Sequence, residues 1–275
     1  MQIAVAEIVI AACLLLGANK GSASLLDDDC GTTRHPLRVR RVVGGVPAER
    51  FANPWAVMVF CKTGLNCGGS LITSRFVLTA ANCVYKNPAQ KVRLGAYDKD
   101  ISQHAIEVDI DRNISHPKFE MIKGSKYDIA LLRMAQEVSY SDFIRPICLL
   151  DNQRVQNTYT HFKISGWGRT ESGELSRVLQ SATLSKVDTS ICSKAFEFDV
   201  DQSQICTHSV TSAREACAGD GGSPLSAKLD FEGTIREFQF GIVIYGDLNC
   251  RTFGVSTNVT HYINWIKDTI DKNAD

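Results

Sequence analysis

Cys67-Gly68-Gly69-Ser70-Leu71-Ile72, continued by Phe76-Val77-Leu78-Thr79-Ala80-Ala81-Asn82-Cys83, is the stretch that decides the fold of this chain. Its apolar run 76–79 has the length and composition of a short buried strand. Two later segments belong with it, namely Asp128-Ile129-Ala130-Leu131-Leu132 and Cys217-Ala218-Gly219-Asp220-Gly221-Gly222-Ser223-Pro224-Leu225. All three place polar residues or glycines beside short apolar runs, which is the pattern of loops that flank strands.

Short strands separated by turn residues dominate the rest of the chain. The runs 56–60, 161–165 and 238–244 read as strands, and 106–110 alternates strictly between apolar and acidic residues. A helical pattern appears near the end, where four apolar residues share one helix face: Tyr262, Ile263, Ile266 and Ile270. We therefore predict an all-β barrel or sandwich with one C-terminal helix.

The composition favours a secreted protein. The chain has 275 residues, 44% of them hydrophobic, and its formal net charge is zero. A neutral chain gives no electrostatic reason to expect nucleic acid or an acidic membrane as a partner. Ten cysteines suit an oxidising compartment. No cysteine or histidine pairs stand at zinc-ligand spacing, so we expect neither a metal nor another cofactor.

The first residues are typical of a secretion signal. Segment 8–18 is almost wholly apolar and too short to span a bilayer comfortably, and small residues follow it. We assign 1–24 to a signal peptide, although it lacks a basic start, and keep a buried helix as the alternative. A short pro-segment, 25–41, then precedes the main domain, 42–275.

The order and spacing of the three quoted segments resemble those of the chymotrypsin-like, or trypsin-like, serine proteases. Further matches are Ser165-Gly166-Trp167-Gly168, Gly241-Ile242-Val243, Tyr245-Gly246 and Trp265-Ile266, and together they cover roughly residues 42–271. The resemblance implies two six-stranded antiparallel β-barrels, with an active site between them and a C-terminal helix. It also implies catalytic residues in the chain order His, Asp, Ser.

Two of the three catalytic positions differ from the family. Asn82 stands at the general-base histidine, and an amide has no basic nitrogen. Gly221 stands at the nucleophilic serine, and Asp128 alone keeps its identity. In subtilisin, loss of the serine or the histidine lowers turnover about 10⁶-fold, on the order of 8 kcal/mol, and a second loss adds little. We therefore predict a non-catalytic homologue.

Two nearby residues bear on this prediction. Ser223 lies two positions beyond Gly221, and an unorthodox active site that uses its hydroxyl is the alternative, although it would still need a base. The family's Ser-Trp-Gly strand reads Ile244-Tyr245-Gly246 here, so a serine that would bond to Asp128 is missing. Because a buried carboxylate without partners is costly, we expect the Asn82 amide to donate to Asp128.

A processing site is predicted before the main domain. Arg38-Val39-Arg40-Arg41 resembles the Arg-x-Arg-Arg site of furin-like convertases and stands immediately before Val42. The resemblance implies cleavage after Arg41 and an ion pair between the new Val42 ammonium and Asp220, since burying that charge needs a partner. A relic sequence without this function is the alternative.

The resemblance also implies a specificity pocket. Glu215 falls at its base and Tyr245 lies beside it, while Gly246 and Gly254 keep its walls open. Two interpretations of Glu215 stay open: it binds a Lys or Arg side chain, or its extra length fills the pocket.

Four disulfides follow from the same resemblance: Cys67–Cys83, Cys192–Cys206, Cys217–Cys250 and Cys30–Cys148, the last holding the pro-segment to the body. Cys61 has no family partner and is either an inert buried thiol or an intermolecular link. Sequons at Asn113 and Asn258 predict surface glycosylation.

These features predict a secreted, extracellular serine protease homologue that binds a protease, an inhibitor or a cascade substrate. Arthropod homologues of this kind act in extracellular immune and clotting cascades, and we expect no clip domain because 25–41 is too short for one. The alternatives are an active trypsin-like endopeptidase and a storage or scaffold protein without a specific partner.

Overall fold

The computed structural model contains two closed antiparallel β-barrels. It describes residues 25–33, 46–101, 103–150, 159–169, 174–209, 220–246 and 253–274. The predicted signal peptide and cleavage site, including Arg41 and Val42, lie outside these residues. The fold class predicted from the resemblance, two six-stranded barrels with a C-terminal helix, is confirmed.

The first barrel follows a two-residue strand, β1 (Val46–Pro47). Its strands are β2 (Ala56–Cys61), β3 (Gly64–Leu71), β4 (Phe76–Thr79), β5 (Ala89–Leu94), β6 (Ile106–Ser115) and β7 (Ala130–Met134). They close in the order β2-β3-β4-β7-β6-β5. Its interior is filled by fully buried aliphatic side chains, among them Val57, Leu78, Leu94 and Leu131. Burial of these side chains stabilises the barrel.

The second barrel follows β8 (Cys148–Leu149). Its strands are β9 (His161–Gly166), β10 (Gln180–Val187), β11 (Gln204–Ser209), β12 (Pro224–Phe231), β13 (Thr234–Gly246) and β14 (Phe253–Asn258). The order is β9-β10-β11-β14-β13-β12, and β12 pairs back with β9 to close the barrel. Phe162, Phe238 and Phe240 fill its interior. Strands β1 and β8 attach outside, to β10 and β13.

Two α-helices accompany the barrels, α1 (Thr189–Phe196) and α2 (Ile263–Asp271). Helix α2 is the predicted terminal helix, and its Ile266 is fully buried. Helix α1 was not predicted, because it is short and Cys192 is its one buried residue, so no apolar stripe marks it. Its start is stabilised by Asp188, whose carboxylate accepts from the backbone N–H of Ser190 at 2.9 Å.

Buried polar contacts join the two barrels. The Ser70 hydroxyl on β3 donates to Gln239 Oε1 on β13 at 2.6 Å, and both side chains are fully buried. The Thr257 hydroxyl on β14 donates to the backbone carbonyl of Asp128 at 2.7 Å. A buried polar group that loses its partner is unfavourable. These hydrogen bonds therefore favour one arrangement of the loops between the barrels.

Three of the four predicted disulfides are present: Cys30–Cys148, Cys67–Cys83 and Cys192–Cys206. The fourth prediction, Cys217–Cys250, lies outside the described residues. Cys61 is a thiol on β2 that is 4% exposed, with its sulfur 3.8 Å from the carbonyl oxygen of Cys83. This burial favours an inert thiol over an intermolecular link.

Candidate functional site

Of the three predicted catalytic positions, Asn82 and Asp128 are in direct contact, and Gly221 lies beside Cys67 and Gly68 of β3. Asn82 lies in a 3-10 helix, Ala81–Cys83, that directly follows β4. Asp128 stands just before β7, and Gly221 stands in the turn before β12. Each position therefore lies where a barrel strand meets a loop.

Asn82 and Asp128 are joined by two hydrogen bonds. The side-chain amide of Asn82 donates to Asp128 Oδ2 at 2.7 Å, and its backbone N–H donates to Oδ1 at 2.8 Å. Asp128 as a whole residue is 1% exposed. The Asn82 amide nitrogen is thus engaged as a donor, and it is not basic because its lone pair is delocalised into the amide carbonyl.

Burial dominates the titration of Asp128. Desolvation raises the pKa of its carboxyl to about 6, while hydrogen bonds from Asn82 and Ala81 oppose that rise. Donors to a carboxylate favour the charged form, whereas burial disfavours it. The site therefore holds a carboxyl group that changes charge just below neutral pH.

Gly221 is anchored through its backbone. Its carbonyl accepts from the Gly68 N–H at 2.9 Å. The nearest atom to a Cβ added at Gly221 is Cys67 Sγ, at 3.8 Å, which is an ordinary contact. At Gly222 the backbone has φ +82°, and a Cβ would collide with the Gly68 carbonyl. A side chain is therefore sterically tolerated at position 221 but not at 222.

Ser223 is enclosed. It is 2% exposed, and a Cβ added at Gly68 would collide with its hydroxyl oxygen. Its backbone N–H donates to the Asp220 carbonyl at 2.9 Å, which closes the turn. The hydroxyl consequently lies between Gly68 of the first barrel and Gly166 of the second rather than in solvent.

Comparisons with known proteins identify the family of this chain. A sequence profile described as Trypsin matches residues 42–266. The chain belongs to the trypsin family. It is 32% identical to "CLIP domain-containing serine protease B4" from Anopheles gambiae over 92% of this chain and 76% of that protein. It is also 32% identical to "Serine protease grass" from Drosophila melanogaster over 90% of this chain and 71% of that protein.

A solved structure agrees with the trypsin-family fold. It is described as the crystal structure of the Drosophila Grass clip serine protease of the Toll pathway. The TM-score is 0.79 at 29% identity, and the match covers 89% of this chain and 75% of that one. Two further relatives are "Phenoloxidase-activating factor 1" from Holotrichia diomphalia and "Spaetzle-processing enzyme" from Drosophila melanogaster, at 32% and 29% identity.

Asp220, the predicted partner of Val42 in this trypsin-family chain, contacts a strand of the second barrel and the loop that follows it. Its Oδ1 accepts from the Gly168 N–H at 2.9 Å, and a Cβ on Gly166 or Gly168 would collide with its carboxylate. Lys99 Nζ donates at 3.4 Å to the Trp167 carbonyl, the other end of the same peptide group. Burial lowers the pKa of Lys99, and the nearby carboxylates of Asp220 and Asp100 oppose this change by raising it.

Lys99 was missed by sequence reasoning, because nothing in its local pattern places it near Asp220. The activation prediction itself remains a prediction, since Val42 lies outside the described residues. Glu215, the predicted pocket base, also lies outside them.

The pocket strand is described as far as Gly246, which pairs with Gly254 across β13 and β14. Its Tyr245 hydroxyl donates to the Ile122 carbonyl at 3.2 Å and accepts from the Gly124 N–H at 3.3 Å. The ring lies 5.5 Å from that of Phe198. Tyr245 therefore bridges the cleft between the barrels, a contact that sequence reasoning did not foresee.

The two predicted glycosylation sites differ. Asn113 is exposed on β6, so glycosylation there stays a prediction. Asn258 is 8% exposed, its amide nitrogen donates to the Gln202 carbonyl at 2.7 Å, and its oxygen accepts from the Thr260 hydroxyl at 2.8 Å. This burial argues against a glycan at Asn258, whose side chain instead caps the 3-10 helix Val259–Tyr262.

Among its described residues, the site offers hydrogen-bond donors to the Asp128 carboxylate. Within the part of the chain that the structure describes, no group of three or more His, Cys, Asp and Glu side chains could hold a metal ion. In the same part, no helix is long and apolar enough to cross a membrane.

Proposed function

We propose that this protein is a non-catalytic member of the trypsin family that acts by binding other extracellular proteins of a proteolytic cascade. The observation that carries the proposal is the pair Asn82 and Gly221 at the general-base and nucleophile positions. Both residues would have to be replaced, Asn82 by histidine and Gly221 by serine, for the family's chemistry to operate. Proton transfer and nucleophilic attack act as one unit.

The geometry supports a structural role for Asn82. Its amide donates to Asp128 at 2.7 Å and so supplies a partner to a buried carboxylate. In the catalytic arrangement that carboxylate orients a histidine, which takes the proton of the serine. Here the carboxylate contacts an amide instead of an imidazole. The position therefore has no base that could take a proton from a nucleophile.

Ser223 is a poor substitute nucleophile. Its hydroxyl is packed against Gly68 and is 2% exposed, so a substrate carbonyl has no approach to it. A nucleophilic hydroxyl also needs a base within hydrogen-bond reach. Asp128, whose carboxylate is bonded to Asn82, is already engaged elsewhere.

The relatives and the disulfides support an extracellular setting. Three disulfides are typical of chains that fold in an oxidising compartment. The solved relative is described as a protease of the Toll pathway, and another relative is named as a processing enzyme. A member without catalysis fits the role of a regulator that binds such proteases, their inhibitors or their substrates.

Activity measurements test the loss of catalysis. The secreted protein, cleaved after Arg41, should neither hydrolyse Arg-peptide substrates nor react with a fluorophosphonate probe. The matched control is Asn82→His combined with Gly221→Ser, which restores both groups, and a side chain at position 221 meets only an ordinary contact. That variant should be labelled and should exceed the parent protein in turnover by about 10³-fold or more. Labelling or clear turnover by the parent protein would show an active endopeptidase.

A pull-down tests the binding role. The folded protein, used as bait in the extracellular fluid of its source, should retain a protease, an inhibitor or a cascade substrate. Bait whose disulfides have been reduced and alkylated is the control and should retain none of these. A folded bait that captures nothing specific would favour a storage or scaffold protein.

A further inference from the structure

A short segment of the first barrel, residues 122–126, crosses the cleft to the second barrel. It belongs to the loop between β6 and β7, and we call it the strap. Its first four residues form a turn, in which the Ser125 N–H donates to the Ile122 carbonyl at 3.2 Å. Gly124, the third residue of this turn, has φ +78°, a left-handed conformation that favours glycine. The strap therefore has a defined shape.

Tyr245 on the pocket strand contacts the strap directly. Its hydroxyl donates to the Ile122 carbonyl at 3.2 Å and accepts from the Gly124 N–H at 3.3 Å. Neighbouring strands of a sheet lie about 4.8 Å apart, so a peptide chain cannot pass between two groups that are already in hydrogen-bond contact. The cleft is therefore spanned at Tyr245.

The ring of Phe198, from the loop between α1 and β11, lies against the same turn. It is 5.5 Å from the ring of Tyr245, and a Cβ added at Gly124 would lie 2.7 Å from its ring carbons. Not even a methyl group fits between Gly124 and this ring. The strap and the second barrel are thus in close contact beside Tyr245 as well.

The end of the strap is joined to the segment that leads into β11. Lys126 Nζ pairs with Asp199 Oδ2 at 2.6 Å and with Asp201 Oδ2 at 2.7 Å, and Gln204 Nε2 donates to the Ser125 carbonyl at 3.4 Å. The Lys126 side chain is 34% exposed and that of Asp199 is 77% exposed, so these ion pairs add little stability. Closure therefore depends mainly on Tyr245 and Phe198.

We propose that the strap is an autoinhibitory element that closes one end of the cleft and detaches as a unit. It must leave Tyr245 and Phe198 before an extended peptide can lie along the pocket strand past Gly246. A partner bound in the closed state would have to end its inserted segment at Tyr245. The proposal does not depend on the loss of catalysis, since the contacts that carry it involve neither Asn82 nor Gly221.

Limited proteolysis of the whole secreted protein tests the closure. Lys123 is exposed in the middle of the strap, but a lysine-specific endopeptidase cuts after it only when the strap has detached. Phe198→Ala removes the ring that packs on Gly124 and should raise the rate of this cleavage about 10-fold. Ile191→Ala, at a 39% exposed position on α1, is the control and should leave the rate unchanged.

A second variant keeps the test decisive if Phe198→Ala does not fold. Tyr245→Phe keeps the ring and removes only the hydroxyl, so it should raise the rate of cleavage after Lys123 about 5-fold. Cleavage after Lys228, which is exposed on β12, reports global unfolding and should not change. Equal Lys123 rates in the parent protein and the variants would overturn the proposal, and so would rates that rise only together with the Lys228 rate.

Substrates of two lengths test the effect on the cleft. In the Asn82→His and Gly221→Ser variant, we would compare acetyl-Arg p-nitroanilide with acetyl-Ala-Ala-Ala-Arg p-nitroanilide, which extends further along the cleft. Adding Tyr245→Phe should raise kcat/KM about 5-fold for the longer substrate and leave the shorter one unchanged. Equal changes for both would contradict the exclusion of extended peptides. If that variant is inactive, the control of the proposed function fails, and the Lys123 rates alone decide on the strap.

Discussion

Asp128 is a carboxylate that the fold buries to 1% exposure, and Asn82 and Ala81 supply its hydrogen-bond donors. Under the proposed function, an amide stands where the family has a histidine, and it supplies no base but still donates a hydrogen bond to the buried carboxylate of Asp128. The pocket strand contributes Ile244, 8% exposed, where the family's serine would stand. The donors of Asp128 therefore come from the first barrel.

The raised pKa of Asp128 predicts a pH dependence of stability. Because the folded pKa of about 6 exceeds the ordinary value of 3.8, the folded state holds this proton more tightly than the unfolded state. The favourable contribution is complete below about pH 4 and is lost as the pH rises through 6. In full it amounts to roughly 3 kcal/mol.

Urea unfolding of the parent protein and of Asp128→Asn at several pH values measures this contribution. The free energy of unfolding of the parent protein minus that of the variant should fall by roughly 2 kcal/mol between pH 4 and 7. A difference that stays constant over this range would contradict the raised pKa.

At the scale of elements, strand β13 of the second barrel is tied to the loop that precedes β7 of the first. The contact consists of two hydrogen bonds of the Tyr245 hydroxyl, which donates to the Ile122 carbonyl and accepts from the Gly124 N–H. The resemblance expects a tryptophan here, and an indole N–H can only donate. A tyrosine both donates and accepts, so this exchange creates a two-sided contact across the cleft.

Tyr245→Phe should loosen this loop. The variant removes an acceptor from the Gly124 N–H, and a neutral hydrogen bond is worth about 1 kcal/mol. Hydrogen exchange at the Gly124 amide should therefore accelerate roughly five-fold. Tyr85→Phe, at a tyrosine that is 48% exposed, is the control and should leave that rate unchanged. Equal rates in the parent protein and Tyr245→Phe would show that the contact does not hold the loop.

At the scale of the whole molecule, the segment before the barrels is fastened to the second barrel and to the chain that joins the two. Cys30 is fully buried and bonded to Cys148, which is 118 positions away in the chain. Arg236 donates to the carbonyls of Asp28 and Cys30 at 2.6 and 2.9 Å. In the loop-entropy model a crosslink over about 100 residues stabilises by roughly 5 kcal/mol.

This tether predicts that the chain stays in one piece after cleavage at the proposed site behind Arg41. The intact mass of the cleaved protein should rise by one water molecule without reductant, and reduction should release the short segment. In the double variant Cys30→Ala and Cys148→Ala, the segment should separate after cleavage without reduction. Release from the parent protein without reductant would contradict the tether in solution.

The local sequence pattern predicted an all-β barrel or sandwich, and the two-barrel architecture was implied by the resemblance to the trypsin-like proteases. Strands such as 56–60 and 76–79 follow from short apolar runs, and the three quoted segments identify the trypsin family through residues at wide spacing. Helix α1 was not predictable in this way, since a helix with one buried residue leaves almost no apolar periodicity.

The sequence by itself determined which chemical groups stand at the positions that the resemblance marks as catalytic, because Asn82 has no basic group and Gly221 has no nucleophilic group in any fold. Only the tertiary structure decided what surrounds those groups. The enclosure of Ser223 by Gly68, the burial of the Asn258 sequon and the bridge from Tyr245 each join positions far apart in the chain. The physical reason is that burial and hydrogen bonding depend on which strands become neighbours, whereas the chemistry of a side chain does not.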